Sequence, residues 1–254
     1  MNTIIRVSIK KAGLLIVLLL FLSSTAFSES QLTVYPAPQD ALLNGDFTIK
    51  VRQPGMEWKS VPNHLIKVDE VRDTKHNVEE ASMAFFDFEG EVEVSVTYNK
   101  GKINNARVRP LSYGIEPAMK GNTLTFKLDQ PRNLSVEVNN DIFHNLHLFA
   151  NPIRKEVPDK NDPNVIYFGP GIYEFEKGKF DVPSNKTVYV DGGAILRGQL
   201  SLDSVENVKI IGSGMVEHTV KMGVHIANSR DIEVDGIFVT QCATGGSDRV
   251  KITN

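Results

Sequence analysis

The residues with the means for acid–base or metal chemistry gather late in the chain. Asp191, Asp231, Asp235 and Asp248 fall between residues 185 and 254, with His218, His225 and the only cysteine, Cys242. Carboxylates stacked on successive repeats could act as general acid and base, but their settings point elsewhere. Asp231 and Asp248 sit in polar lead-ins, while Asp191 and Asp235 each precede a glycine corner, and aspartates in such places bond their own backbone. His218 and His225 flank one repeat with no third ligand at a fixed spacing, so no metal site is expected. His144 and His147, three apart in the strand-like IFHNLHLF, face opposite sides and share no metal. Cys242, in FVTQC, reads as a small buried apolar residue, because no spacing fixes a histidine beside it. Gly212-Ser213-Gly214 has no helix after it and so fails as a phosphate cradle. No catalytic residue and no cofactor is assigned from these patterns.

These residues ride on a repeat. NKTVYVDGGAILRGQ, ENVKIIGSGMVEHT, SRDIEVDGIFVTQC and SDRVKITN each pair a polar lead-in with an apolar strand, the first three broken by glycine. Val188, Val208, Ile232 and Val250 hold equivalent places, giving a step of about twenty residues. A unit that short cannot bury its own apolar face and must stack on copies of itself, which is a β-solenoid. Asp191-Gly192 and Asp235-Gly236 are read as one recurrent corner.

The earlier part has a different character. Gln31–Tyr35, Phe47–Val51, His64–Val71, Ser82–Phe88 and Glu91–Tyr98 read as strands, followed by Ala106–Pro110, Leu124–Leu128 and Leu134–Val138. In EVEVSVTY, Val92, Val94, Val96 and Tyr98 face inward, while Glu91, Glu93, Ser95 and Thr97 face water. Short alternating strands joined by Gly, Pro and Asn turns predict an antiparallel sandwich. NPIRKEVPDKNDPN, with three prolines, reads as the linker; a long internal loop is the alternative. The expected organisation is a signal peptide over 1–28, a β-sandwich over 29–150, a linker over 151–164 and a parallel β-helix over 165–254.

Arg6, Lys10 and Lys11 precede the apolar run Ala12–Leu22, and Ala26-Phe27-Ser28 offers small residues for cleavage after Ser28. A secreted or periplasmic protein follows, with no membrane attachment after cleavage; an uncleaved anchor is the alternative. One cysteine forms no internal disulfide, so the fold relies on its core. The formal net charge of −3 gives no basic excess for a nucleic-acid partner.

VIYFGPGIYEF, VPSNKTVYVDGGAILRGQL and VKIIGSG resemble the opening coils of bacterial right-handed parallel β-helix glycoside hydrolases, above all the polygalacturonase-like family 28 of the pectin lyase-like superfamily. ARVRPLSYGIEP, NTLTFKLDQPRNLSVEVN and NLHLFANP resemble the sandwich that precedes the helix in family 28-like and dextranase-like enzymes. The resemblance implies inverting hydrolysis of a pectin-type polysaccharide. One carboxylic acid protonates the leaving oxygen, and another carboxylate about 6.5–9.5 Å away activates water. The family supplies these from Asn-x-Asp and Asp-Asp segments on adjacent coils, followed by His-Gly and Arg-x-Lys. No Asn-x-Asp followed by glycine, no Asp-Asp pair, no His-Gly and no Arg-x-Lys is read in the repeats here. The expectation is therefore the N-terminal part of such an enzyme, truncated before its catalytic coils and prone to self-associate through the open end of the helix. A non-catalytic polysaccharide-binding module is the alternative, as is a fragment of a dextranase-like hydrolase or a β-helix lyase. In GVHIAN, His225 points opposite Val224 and Ile226, which makes it the candidate sugar contact. Trp58, Tyr113, Tyr167 and Tyr173 could stack on sugar rings but are read as core.

Overall fold

The computed structural model describes residues 31–217, 223–239, 242–245 and 247–253. The segment read as a signal peptide and His218 lie outside them. What is described is β-structure in two units, with one short 3-10 turn at Leu111–Tyr113.

The first unit is a sandwich. Its strands are β1 (Gln31–Thr33), β2 (Phe47–Arg52), β3 (Lys59–Val61), β4 (His64–Arg72), β5 (Lys75–Glu89), β6 (Val92–Tyr98), β7 (Ala106–Arg109), β8 (Ala118–Lys120), β9 (Thr123–Leu128), β10 (Arg132–Val138) and β11 (Asp141–Pro152). One sheet runs β3-β2-β6-β9-β8; the other runs β1-β5-β11-β10-β7, with β4 also on β5. Pairing is antiparallel except between β5 and β11, which run parallel. The valines of β6 face inward as their alternation requires, and meet Phe86, Phe88, Leu124, Leu146 and Leu148 in one core.

β5 explains the unbroken apolar run SMAFFDF. Every residue from Ala81 to Phe88 is buried. Ala84, Phe86 and Phe88 enter the sandwich core. On the opposite face, Met83 and Phe85 pack against the second unit. A strand covered on both sides loses the polar half of its alternation. β5 also starts earlier than its apolar run. Lys75–Glu80 pairs with β4 across an Asp73-Thr74 turn, so the hairpin extends as an arm whose charged composition hides its strand character.

The second unit is a right-handed parallel β-helix. Its strands are β12 (Val165–Phe168), β13 (Gly171–Asp181), β14 (Thr187–Val190), β15 (Ala194–Asp203), β16 (Glu206–Gly212), β17 (Met215–Glu217), β18 (Val224–Ala227), β19 (Arg230–Asp235), β20 (Phe238–Val239), β21 (Cys242–Gly245) and β22 (Asp248–Thr253). One sheet stacks β12-β14-β16-β19-β22. On the other side, β17 and β20 follow the first half of β15, while β18 and β21 follow its second half. Ile166, Val188, Ile210, Val234 and Ile252 stand in register, so successive coils take 22, 22, 24 and 18 residues.

That register amends the repeat read from the sequence. Val208, Ile232 and Val250 are level as expected, but Val188 is level with Ile210. A slip of two residues keeps every side chain on its face and so leaves the apolar pattern unchanged. The glycine corner shifts likewise. Asp235 is level with Ile211 and Tyr189, two residues before Asp191, so the stacked corner glycines are Gly212 and Gly236.

The polar lead-ins build another corner. Asn185, Asn207, Asp231 and Arg249 all hold φ between 50° and 60°, the left-handed region. Short polar side chains tolerate it best, and they bond from coil to coil. Asn207 Nδ2 donates to Asn185 Oδ1 at 3.0 Å, and Arg249 donates to Asp231.

The two units share a third core. Met83, Phe85 and Phe149 of the sandwich lie against Ile195, Met215 and Phe238 of the coils. Phe85 stacks on Phe238 with ring centroids 4.2 Å apart. Each such side chain contributes about 1.5–3 kcal/mol when fully buried.

Candidate functional site

On a β-helix, side chains facing away from the coil core form rows, one residue per coil, spaced by about 4.8 Å. Two such rows cross the β12-β14-β16-β19-β22 sheet. In one, Glu233 lies between Lys209 at 3.3 Å and Lys251 at 3.1 Å, which hold its carboxyl below the usual range. In the other, Asp235 accepts from Thr253 Oγ1 at 2.6 Å and from Arg154 at 3.2 Å. Burial pushes the Asp235 carboxyl up, yet these two donors hold it low overall. At the corner, Arg249 holds Asp231 low and also pairs with Asp248 at 2.8 Å; Arg230 pairs with Glu206. A general acid needs a raised pKa. These carboxylates are arranged for the reverse and serve the stacking of the coils. The expected absence of Arg-x-Lys is corrected by Arg249-Val250-Lys251, which has that spacing, although both its cations are taken up by Asp231 and Glu233.

The row that carries His225 is different. Asp181, Ser201, His225 and Ala243 are level on four coils. Val224 and Ile226 enter the coil core, so His225 points outward as its parity predicts. Ser201 is buried between Asp181 and His225, and its hydroxyl reaches Asp181. Lys179 pairs with Asp181 at 2.8 Å and is the main reason its carboxyl is held low. The residue types are those of a nucleophilic triad, but the order is wrong. A triad needs the histidine between the hydroxyl and the carboxylate. Here serine stands in the middle, and two coil spacings, about 10 Å, separate His225 from Asp181. The row offers hydrogen-bonding groups without a proton relay, which suits binding.

The other aromatic and histidine candidates are spoken for. Trp58 lies under the Arg52 guanidinium at 4.4 Å and Tyr113 under that of Arg132 at 4.2 Å. Tyr167 stacks on Tyr189 and donates to Asp191, a bond that pushes its hydroxyl up to about 12. Tyr173 alone packs against the coil core, edge-on to Phe168. His144 bonds Asp141 at 2.9 Å and Glu79 at 3.2 Å, whereas His147 shares the opposite face with Phe149. No group of three His, Cys, Asp or Glu side chains among the described residues is arranged to hold a metal ion. The side chain of Cys242 lies outside them.

The most unusual carboxylate is one the sequence did not announce. Asp87, on the solenoid-facing side of β5, is 1% exposed. It accepts from Tyr35 at 2.6 Å, Asn151 at 3.2 Å and Ser213 at 3.2 Å. Burial raises its pKa, against the pull of these donors and of Arg154. Gly212-Ser213-Gly214 serves this junction. The amides of Ser213 and Gly214 both donate to the Val190 carbonyl at 3.0 Å, and the Ser213 hydroxyl goes to Asp87. The local clue was a charge inside an apolar run, on the same strand face as Met83 and Phe85.

No family model and no curated protein sequence matches the chain. Among solved structures, the chain is similar to Dex49A from Penicillium minioluteum, with a TM-score of 0.55 at 13% identity. The match covers 84% of this chain and 60% of Dex49A, so the chain spans less than two thirds of that protein's length. At this identity the likeness is one of fold: a sandwich followed by the coils of a parallel β-helix.

Proposed function

We propose that this is an exported carbohydrate-active protein, the sandwich and opening coils of a β-helix glycoside hydrolase that cleaves pectin-type polysaccharide with inversion. The observation that carries the reading is the docked pair of units. A sandwich strand buried on both faces joins the first coils to the sandwich, and over most of this chain the fold is similar to that of Dex49A, a glycoside hydrolase. The catalytic carboxylates belong on coils stacked beyond β22, because those on the coils named above are ion-paired or bonded within turns. His225 then extends the polysaccharide contact below the reacting bond. Dex49A is a dextranase, which supports a second reading with dextran as the polymer.

Release of reducing ends tests this. The chain as it stands should release none from polygalacturonate or dextran, and joining it to the coils encoded downstream should confer release on one of them. Enzyme-like turnover by the chain alone, or downstream DNA without aspartate-bearing repeats in any frame, sinks the proposal.

A further inference from the structure

A groove of about 750 Å³ runs between the β4–β5 arm and the outer face of the first three coils. This volume falls within the range of ligand sites. One side is aliphatic: Leu42, Val68 and Val78 line it, and Leu42 and Val78 are 52% and 68% exposed. The other side is a polar row with one residue per coil, Glu174, Arg197 and Glu217.

Arg197 is fully engaged. Its Nε donates to Glu217 at 2.8 Å, Nη1 to Glu174 at 3.3 Å and Nη2 to the Asp40 carbonyl at 2.8 Å. Two carboxylates therefore share one guanidinium, and the row keeps acceptor oxygens and residual negative charge. On the arm, Lys67 and Asp69 are offset in sign, and Asp69 is further bonded to His76. The groove thus sets two acceptor carboxylates two coils apart, about 10 Å along the helix axis, opposite an aliphatic wall.

A matching ligand is extended, presents hydroxyl donors about 10 Å apart along one edge and C–H groups along the other, and carries no negative charge. We propose that this groove binds an extended neutral glycan. A polyuronate would set its carboxylates against Glu174 and Glu217, and like charges facing each other across an interface oppose binding. The inference rests on the polysaccharide-active reading and, of the two polymers named there, favours the neutral one at this surface.

Titration calorimetry of the purified chain with isomaltohexaose, cellohexaose and hexagalacturonate decides it. At least one neutral hexamer should bind saturably and about tenfold more tightly than hexagalacturonate, a difference of about 1.4 kcal/mol. Val78→Asp and Leu42→Asp should each weaken that binding about tenfold, with the thermal melt unchanged because both side chains are exposed. The groove is refuted if neither neutral hexamer binds, if hexagalacturonate binds more tightly, or if both variants bind as the parent does. Reducing-end release is a separate measurement, so a groove that fails leaves the hydrolase reading to its own test.

Discussion

Gly212→Ala should lower the stability of the chain by about 2–6 kcal/mol, the sum of an overpacking cost and a backbone strain cost. Gly212 sits at φ 144°, a conformation that L side chains rarely adopt. A Cβ built there would collide with the backbone carbonyl of Val190 on the neighbouring coil, which has no flexible side chain to move aside. The cost spreads, because each coil is stabilised chiefly by its neighbours. Displacing Val190 would disturb the level set Val188, Ile210 and Val234 as well as the amides of Ser213 and Gly214. Gly45→Ala is the control. Nothing lies within 4 Å of its added Cβ, so its effect should stay within about 0.5 kcal/mol. Urea unfolding of the two variants side by side measures the difference, and equal midpoints would show that the corner has room.

The sequence carried what is local and periodic. Alternation in β6 placed its valines inside, and the same parity pointed His225 outward from a coil whose neighbours Val224 and Ile226 are buried. The repeat was legible because the apolar residues and glycines recur. Its exact register was not, because the coils differ in length and a shift of two residues preserves the face. The charged half of β5 was missed because Lys75–Glu80 has the composition of a solvated loop and is a strand only through β4. The Asp87 junction was least legible. Tyr35 lies 52 residues from Asp87 and Ser213 lies 126 residues away. No pattern within a strand or a turn encodes a partnership at that distance; only the placement of one charge in an apolar run hinted at it.

Asp87→Ala should cost about 3 kcal/mol at neutral pH. Three donors, on Tyr35, Asn151 and Ser213, would lose their acceptor in a buried site, and each unsatisfied group costs about 1–3 kcal/mol. Relief of the buried charge offsets part of the total. Asp87→Asn should fall between the two, since one oxygen still accepts while the amide nitrogen faces a donor. The pH dependence distinguishes the opposing effects. Burial raises the Asp87 pKa above its ordinary 3.8, so the folded chain holds this proton more tightly than the unfolded chain does. The stability that Asp87 contributes is then fully present below 3.8 and declines as the pH rises through the raised folded value. The gap in unfolding free energy between the parent and Asp87→Ala should therefore widen as the pH is lowered toward 4. A gap that narrows instead would mean that the three hydrogen bonds and Arg154 outweigh burial, and that the junction is held by an ionised carboxylate. Ser213→Ala, alone and combined with Asp87→Ala, assigns the bond between the units. A coupling energy near zero would leave the apolar contacts of Met83, Phe85, Met215 and Phe238 to hold the sandwich against the helix.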